Sequence, residues 1–395
     1  VLTERMPHVR SVSIGLWVKV GSRYEPAERA GVSHFIEHLL FKGTETRSAE
    51  DIARAIDSVG GTLDAFTSRE NTCFYAKVLG EHLPLAVDLL SDLLLHPRLA
   101  PEDFERERRV VLEEIKMVED DPDDIIHDLF AQHFWPDHSL GRPVLGSRQT
   151  LQAFTRQDIL NHLRDFYQPD RVVVAAAGDL VHERVVELVR AALGNWQGQA
   201  LAVRDTAPVC HRSVHHAERD SAQLHMVLGG EGLPYCTQQR YAFYLQNAIL
   251  GSSMSSRLFQ EIREKRGLAY SIYSYQASYR DSGLMAVYAG TSPESHGQVV
   301  DLIRAELSRL REDPVDLEEF SRAKAQLKGN LLLGLESTSS RMTRLAKTEI
   351  YFQHYFDLDD IIRGIDGVAP DAFAELNRAL LDPDRYSLTT VGHFA

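Results

Sequence analysis

The chain has 395 residues, 44% of them apolar, with 57 acidic against 43 basic side chains and a formal net charge of −14. That length exceeds what one ordinary core serves and predicts two or more domains. The charge argues against nucleic acid and anionic membranes as partners, no run of 18 apolar residues is available to span a bilayer, and three scattered cysteines (Cys73, Cys210, Cys236) support neither a disulfide framework nor a thiolate zinc site.

The opening VLTERMPHVR carries no apolar signal core and does not begin with Met, so a processed, trimmed or fragmentary N-terminus is expected. A bacterial cytoplasm is the expected compartment, with a mitochondrial matrix or a lost export signal as alternatives. Residues 12–20, VSIGLWVKV, alternate apolar and polar and predict a strand. A polar loop then leads to GVSHFIEHLLFKGT, residues 31–44, the stretch with the densest chemistry. On the helix expected over 32–41, His34 and His38 lie four apart and share a face. Neutral imidazoles at that spacing suit zinc, which in a catalytic site needs a third protein ligand and an open position. Glu37 emerges beside the pair, where a carboxylate that is not a ligand can take a proton from water. The H-x-x-E-H order is that of the inverzincins.

Beyond a glycine stop at Lys42-Gly43-Thr44, Ser48 reads as a helix N-cap with Asp51 as an imperfect capping-box partner. Residues 62–79 predict a hairpin turning at Ser68–Asn71, and 81–95 an amphipathic helix. A charged helix follows over 101–117, broken by the acidic EDDPDD run at 119–124, then a helix over 123–134. A turn-rich loop at 135–146, a helix over 155–166, a buried strand over 171–177 and a helix over 182–193 close the first half. Residues 196–210 are the linker candidate. The second half repeats the first: strand-like residues at 223–229, a helix over 240–250, strands over 267–277 and 282–289, and helices over 295–310 and 314–333. Setting Phe104 opposite Phe320 places Glu107 against Ala323 and Glu114 against Asn330, and the second half has no H-x-x-E-H. GLESTSS at 334–340 reads as a flexible stretch without a catalytic role. The expected architecture is α+β: two homologous domains, over 1–200 and 211–395, each a mostly antiparallel sheet covered by helices, with the chemistry in the first.

HFIEHLLFKGT, AFTSRENT, RRVVLEEIKM and RGLAY, in that order and at those spacings, resemble the M16 metallopeptidases across essentially the whole chain. The likeness is strongest to the two-domain bacterial and processing-peptidase branch. The resemblance implies one Zn²⁺ per chain, held by His34, His38 and a glutamate about 76 residues beyond the second histidine, which is Glu114. Its neighbour Glu113 is the competing choice, disfavoured because Glu107 lies seven residues before Glu114 on one helix face. Glu107 matches a family glutamate that orients a zinc histidine. Glu37 is implied as general base. Arg263 and Tyr270, in REKRGLAY, match a pair that reaches the active site from the second half, the tyrosine toward the tetrahedral intermediate and the arginine toward a substrate carbonyl. Ala65, Phe66 and Thr67 match an edge strand to which an extended peptide adds. Phe41 matches a pocket wall for the residue after the cut, and Asp124 and Asp128 fall where acids bind an arginine upstream of it. The implied activity is zinc-dependent endoproteolysis of extended or unfolded peptides by a homodimer or a heterodimer with an M16 homologue. A non-catalytic or regulatory subunit of a processing-peptidase-like pair is the alternative.

Overall fold

Val12, Ile14, Leu16 and Val18 turn to one side of their strand and Ser13, Gly15 and Trp17 to the other, and Val12 to Val18 are all buried. A strand buried on both faces needs a cover on each, and this requirement organises the fold. The computed structural model describes residues 1–202 and 205–394. Among the described residues, ten strands form two five-stranded sheets. The first contains β1 (Leu2–Arg5), β2 (Ser11–Val18), β3 (Thr62–Thr67), β4 (Thr72–Leu79) and β5 (Val172–Gly178), in the order β1-β5-β2-β4-β3. The second contains β6 (Val214–Glu218), β7 (Leu224–Glu231), β8 (Ala269–Ser278), β9 (Gly283–Thr291) and β10 (Ser387–Gly392), in the order β6-β10-β7-β9-β8. Numbered within its own sheet, each reads 1-5-2-4-3, so the duplication visible in the sequence is a duplication of topology. In each sheet one edge pair is parallel (β1 with β5, β6 with β10) and the other pairs are antiparallel.

The chain separates into two compact units that do not coincide with contiguous halves. One comprises 1–116, 142–205 and 334–355; the other comprises 117–141, 206–333 and 356–395. Compared with the expected 1–200 and 211–395, two segments have changed places. In the first unit, Val12, Ile14, Leu16 and Val18 pack with Phe74, Ala76 and Val78 of β4 against helices Val32–Leu40, Leu83–Leu95, Pro101–Asp120 and His182–Leu193. Trp17, Cys73, Ala175 and Ala177 on the opposite face pack on Met342, Leu345 and Ala346 of the helix Thr338–Phe352. In the second unit, Leu224, Met226, Met285 and Val287 face helices that include Arg240–Leu250 and His296–Glu312. Val227, Ala286, Tyr288 and Val391 face Ile126, Phe130 and Phe134 of the helix Pro122–Phe134. Each sheet is therefore a layer between helices, one cover coming from far away in sequence.

Several elements differ from the sequence expectation. Strands β1, β6 and β10 and the helices after residue 340 were not foreseen; β1 and β6 are short edge strands. Gly334 to Ser340, expected to be flexible, ends one helix and begins the next: Ser337 caps Thr338–Phe352, Thr338 is buried, and Thr338 and Ser339 hydrogen-bond the buried Ser13 hydroxyl at 2.8 and 3.0 Å. The charged helix runs on to Asp120, and the next starts with Pro122 in its first turn, capped by Asp121. The linker expected over 196–210 has neither helix nor strand among its described residues; Val203 and Arg204 lie outside them. Among the described residues, no helix is long and apolar enough to cross a membrane.

Candidate metal centre

The helix carrying the two histidines spans only nine residues, Val32–Leu40, too short to hold itself in water. Burial of Val32, Phe35, Ile36, Leu39 and Leu40 supplies the stability. Its start is built from outside. Gly31 adopts φ 95°, and a Cβ there would lie 2.5 Å from the Leu145 carbonyl oxygen. The buried Glu25 carboxylate accepts from the Gly31 and Ser33 amides, both at 2.7 Å, capping the helix that no N-cap side chain caps. Burial pushes the Glu25 carboxyl up, against the pull of those amides and the charge of Arg142.

On this base, His34 Nε2 lies 3.7 Å and His38 Nε2 3.5 Å from Glu114 Oε2 on the helix Pro101–Asp120. These separations are too long for good hydrogen bonds. They match the spacing of donors on one tetrahedral zinc: bond lengths of about 2.0–2.1 Å imply ligand atoms about 3.4 Å apart. Among the described residues, these three are the one group of His, Cys, Asp and Glu whose ligand atoms all lie within 4.8 Å of one another. Glu113, the alternative, points into solvent. Two imidazoles and a carboxylate leave a fourth position open, so the residues present fit a zinc ion.

The surroundings sort the charges. Burial lowers His34 to about 4, only partly offset by the Glu114 charge, so its ring is neutral near pH 7, as ligation requires. His34 Nδ1 is buried and has no hydrogen-bond partner among the described residues. His38 is treated differently: burial works to lower it, but the Glu114 and Glu107 carboxylates outweigh burial and raise it. Glu107, 2% exposed, reaches His38 Nδ1 at 3.3 Å with one oxygen and Lys42 Nζ at 3.0 Å with the other. This directs His38 Nε2 to the cluster. The imidazole on Glu114 is the largest influence holding that carboxyl below its usual range. Glu37 projects from the same helix; burial raises its pKa, opposed by a 2.5 Å hydrogen bond from the Thr67 hydroxyl.

The chain matches the family model for insulinase (peptidase family M16) over residues 1–148 and that for the peptidase M16 inactive domain over 153–327. The chain belongs to peptidase family M16. Among relatives of this M16 chain are a Bacillus subtilis protein named uncharacterized zinc protease YmxG, 41% identical over 99% of the chain and 95% of the relative, and a Streptomyces coelicolor uncharacterized zinc protease, 44% identical over 99% and 87%. Among solved structures, a protease from Helicobacter pylori superposes with a TM-score of 0.91 at 21% identity, covering 97% of the chain and 94% of that structure. A peptidase M16 inactive domain from Pseudomonas fluorescens gives 0.90 at 20% identity, covering 100% and 95%. At such identities the structural likeness shows the M16 fold alone.

The remaining residues singled out in the M16 sequence are distributed as follows. Ala65, Phe66 and Thr67 lie on β3, which among the described residues pairs only with β4 and is an edge of its sheet. Phe66 turns away from the metal cluster to stack edge-on with Trp17 at 5.3 Å. Phe41 caps the His34 helix at its C-terminus, half-buried against Phe74. Asp124 and Asp128 lie one turn apart on Pro122–Phe134, in the second unit. Arg263 and Tyr270 belong to the second unit as well, and they meet there. The guanidinium, on a π-helical turn (Phe259–Glu264), sits 5.0 Å from the Tyr270 ring and 4.7 Å from Phe259, and Tyr270 is 78% exposed. Single π-turns of this kind concentrate at functional sites. Sequence reasoning missed Glu25, Lys42 and the Thr67–Glu37 bond. Lys42 stands beside the motif and could have been noticed; nothing in spacing or periodicity points to the other two.

Proposed function

We propose that this chain is a zinc-dependent endopeptidase acting on extended or unfolded peptide segments. The observation that carries the proposal is the convergence of His34 Nε2, His38 Nε2 and Glu114 Oε2 at tetrahedral-ligand spacing with Glu37 beside them. The names of the relatives support the choice of zinc. A zinc ion in such a site polarises a carbonyl oxygen and lowers the pKa of water. The remaining work falls to the chain. Glu37 takes the proton from the attacking water and delivers it to the leaving amine nitrogen. Glu107 keeps the His38 ring in one orientation. The open edge at Ala65–Thr67 binds a peptide through main-chain hydrogen bonds, which favours extended segments over particular side chains. Phe41 is assigned to the residue after the cut, Asp124 and Asp128 to a basic residue before it, and Arg263 and Tyr270 to the substrate carbonyl and the oxyanion. The last two assignments rest on residues of the second unit. The active species is proposed to be a dimer of this chain or its pair with a homologue; light scattering on the active preparation tests that, and an active monomer overturns it.

Hydrolysis of a fluorescence-quenched basic peptide is the direct test, with zinc measured on the same samples. Wild type should cleave and carry about one zinc per chain. Glu37→Gln should retain zinc and lose about 10²- to 10⁴-fold in kcat. Zinc-free protein, or a Glu37→Gln variant as active as wild type, overturns the proposal.

A further inference from the structure

We infer that Thr67 is a positioning residue for Glu37, an inference that rests on the peptidase reading above. Leu63, Ala65 and Thr67 share one face of β3; Leu63 and Ala65 pack against the first unit's core, and Thr67 meets the His34 helix. Its hydroxyl lies 2.5 Å from Glu37 Oε2. The hydroxyl is the donor and the carboxyl oxygen the acceptor. The described residues offer Glu37 no other hydrogen bond, so one oxygen is held by Thr67 and the other remains to receive a proton.

The donor is itself held. Thr67 is β-branched, which limits its rotamers. It is followed by a turn closed by Ser68 N to Asn71 O at 2.8 Å and Asn71 N to Ser68 Oγ at 3.1 Å. Arg23, buried, donates its amide to the Arg69 carbonyl at 2.7 Å and its guanidinium to Glu70 at 2.8 Å. The Tyr351 hydroxyl donates to the second Glu70 oxygen at 2.9 Å and accepts from Asn71 Nδ2 at 3.0 Å. A hairpin tip anchored this firmly keeps the hydroxyl in place through a catalytic cycle. One residue thus serves two tasks: the main chain of β3 offers the open edge, and the side chain holds the base. Removing the hydroxyl alone should therefore alter turnover and spare binding.

The test compares wild type, Thr67→Val, Thr67→Ser, Glu37→Gln and the Thr67→Val/Glu37→Gln double variant, with kcat, KM, zinc content and melting temperature measured for each. Thr67→Val should lose about tenfold to a hundredfold in kcat with KM and zinc unchanged. Thr67→Ser, which keeps the donor, should stay within about threefold of wild type. In the Glu37→Gln background Thr67→Val should cost nothing further, because the ionised acceptor is gone. The inference is overturned if wild type is active and Glu37-dependent while Thr67→Val matches it. It is equally overturned if valine and serine lower activity alike or the loss appears in KM. A wild type that does not depend on Glu37 overturns the peptidase reading instead, which keeps the two failures apart.

Discussion

Glu107 is a carboxylate that touches no solvent to speak of and stands between two basic groups, His38 and Lys42. Replacing it by glutamine leaves a similar shape but removes the charge that orients His38 and pairs Lys42. Glu107→Gln should weaken zinc binding about 10- to 100-fold, read by competition with a chromogenic chelator, with little change in circular dichroism. Glu107 and Glu114 were legible in sequence because a seven-residue step keeps a helix face. The Glu25 cap and the contact of Thr67 with Glu37 were not, since each meets the His34 helix from a loop or strand whose approach follows no periodic rule. A second buried residue allows a pH prediction. His162, 2% exposed, is pushed by burial to about 3, far below its unfolded value near 6.5. Its folded pKa is depressed, so protons prefer the unfolded chain. The stability this neutral ring permits is complete above about pH 6.5 and is lost as the pH falls toward 3. Between pH 7 and 5 the loss is about 2 kcal/mol. Urea titrations at the two pH values should show a loss of stability in wild type that is smaller by about that amount in His162→Phe.

The short helix with His34 and His38 is the element on which the candidate metal centre stands, and its start tolerates little. Gly31 combines a left-handed backbone with a Cβ position 2.5 Å from Leu145 O and 2.9 Å from Gly146 Cα. Backbone atoms cannot swing aside as a side-chain tip can. Gly31→Ala should cost about 2 kcal/mol or more in denaturant unfolding and lower zinc content with it. The following helix, Ala49–Asp57, shows what local chemistry settles unaided. The Ser48 side chain accepts from Asp51 N at 3.1 Å, and the Asp51 carboxylate accepts from Ser48 N at 3.0 Å, as the sequence pattern predicts. Both partners lie within one helical turn, so no tertiary contact is needed to specify them. The hairpin Thr62–Leu79 was legible for the same reason, its turn being closed by Ser68 and Asn71.

Across the whole chain, the exchange of two helices is the main departure from the sequence reading. Phe130 precedes residue 200 yet packs in the second unit, and Met342 follows residue 211 yet packs in the first. Removing either side chain leaves a cavity worth about 2–5 kcal/mol. Phe130→Ala should speed amide hydrogen exchange in β7, β9 and β10 while β2 and β4 stay protected; Met342→Ala should do the reverse. Loss of protection in the contiguous half that contains the mutation would contradict the assignment of these helices.

The sequence by itself determined the α+β class, the duplication, the paired histidines, Glu37 and the register of Glu107 with Glu114. The histidines, Glu37 and the Glu107–Glu114 register are carried by motif or periodicity within one helix each, and the class and duplication by the order of elements and its repetition. The family spacing and that register together favoured Glu114 over Glu113. Only the tertiary structure decided which helix covers which sheet face, what caps the His34 helix, and that Thr67 meets Glu37. Apolar pattern states that a face must be buried but not by what. The hydrophobic effect has no direction and leaves the partner to be chosen by the assembled core.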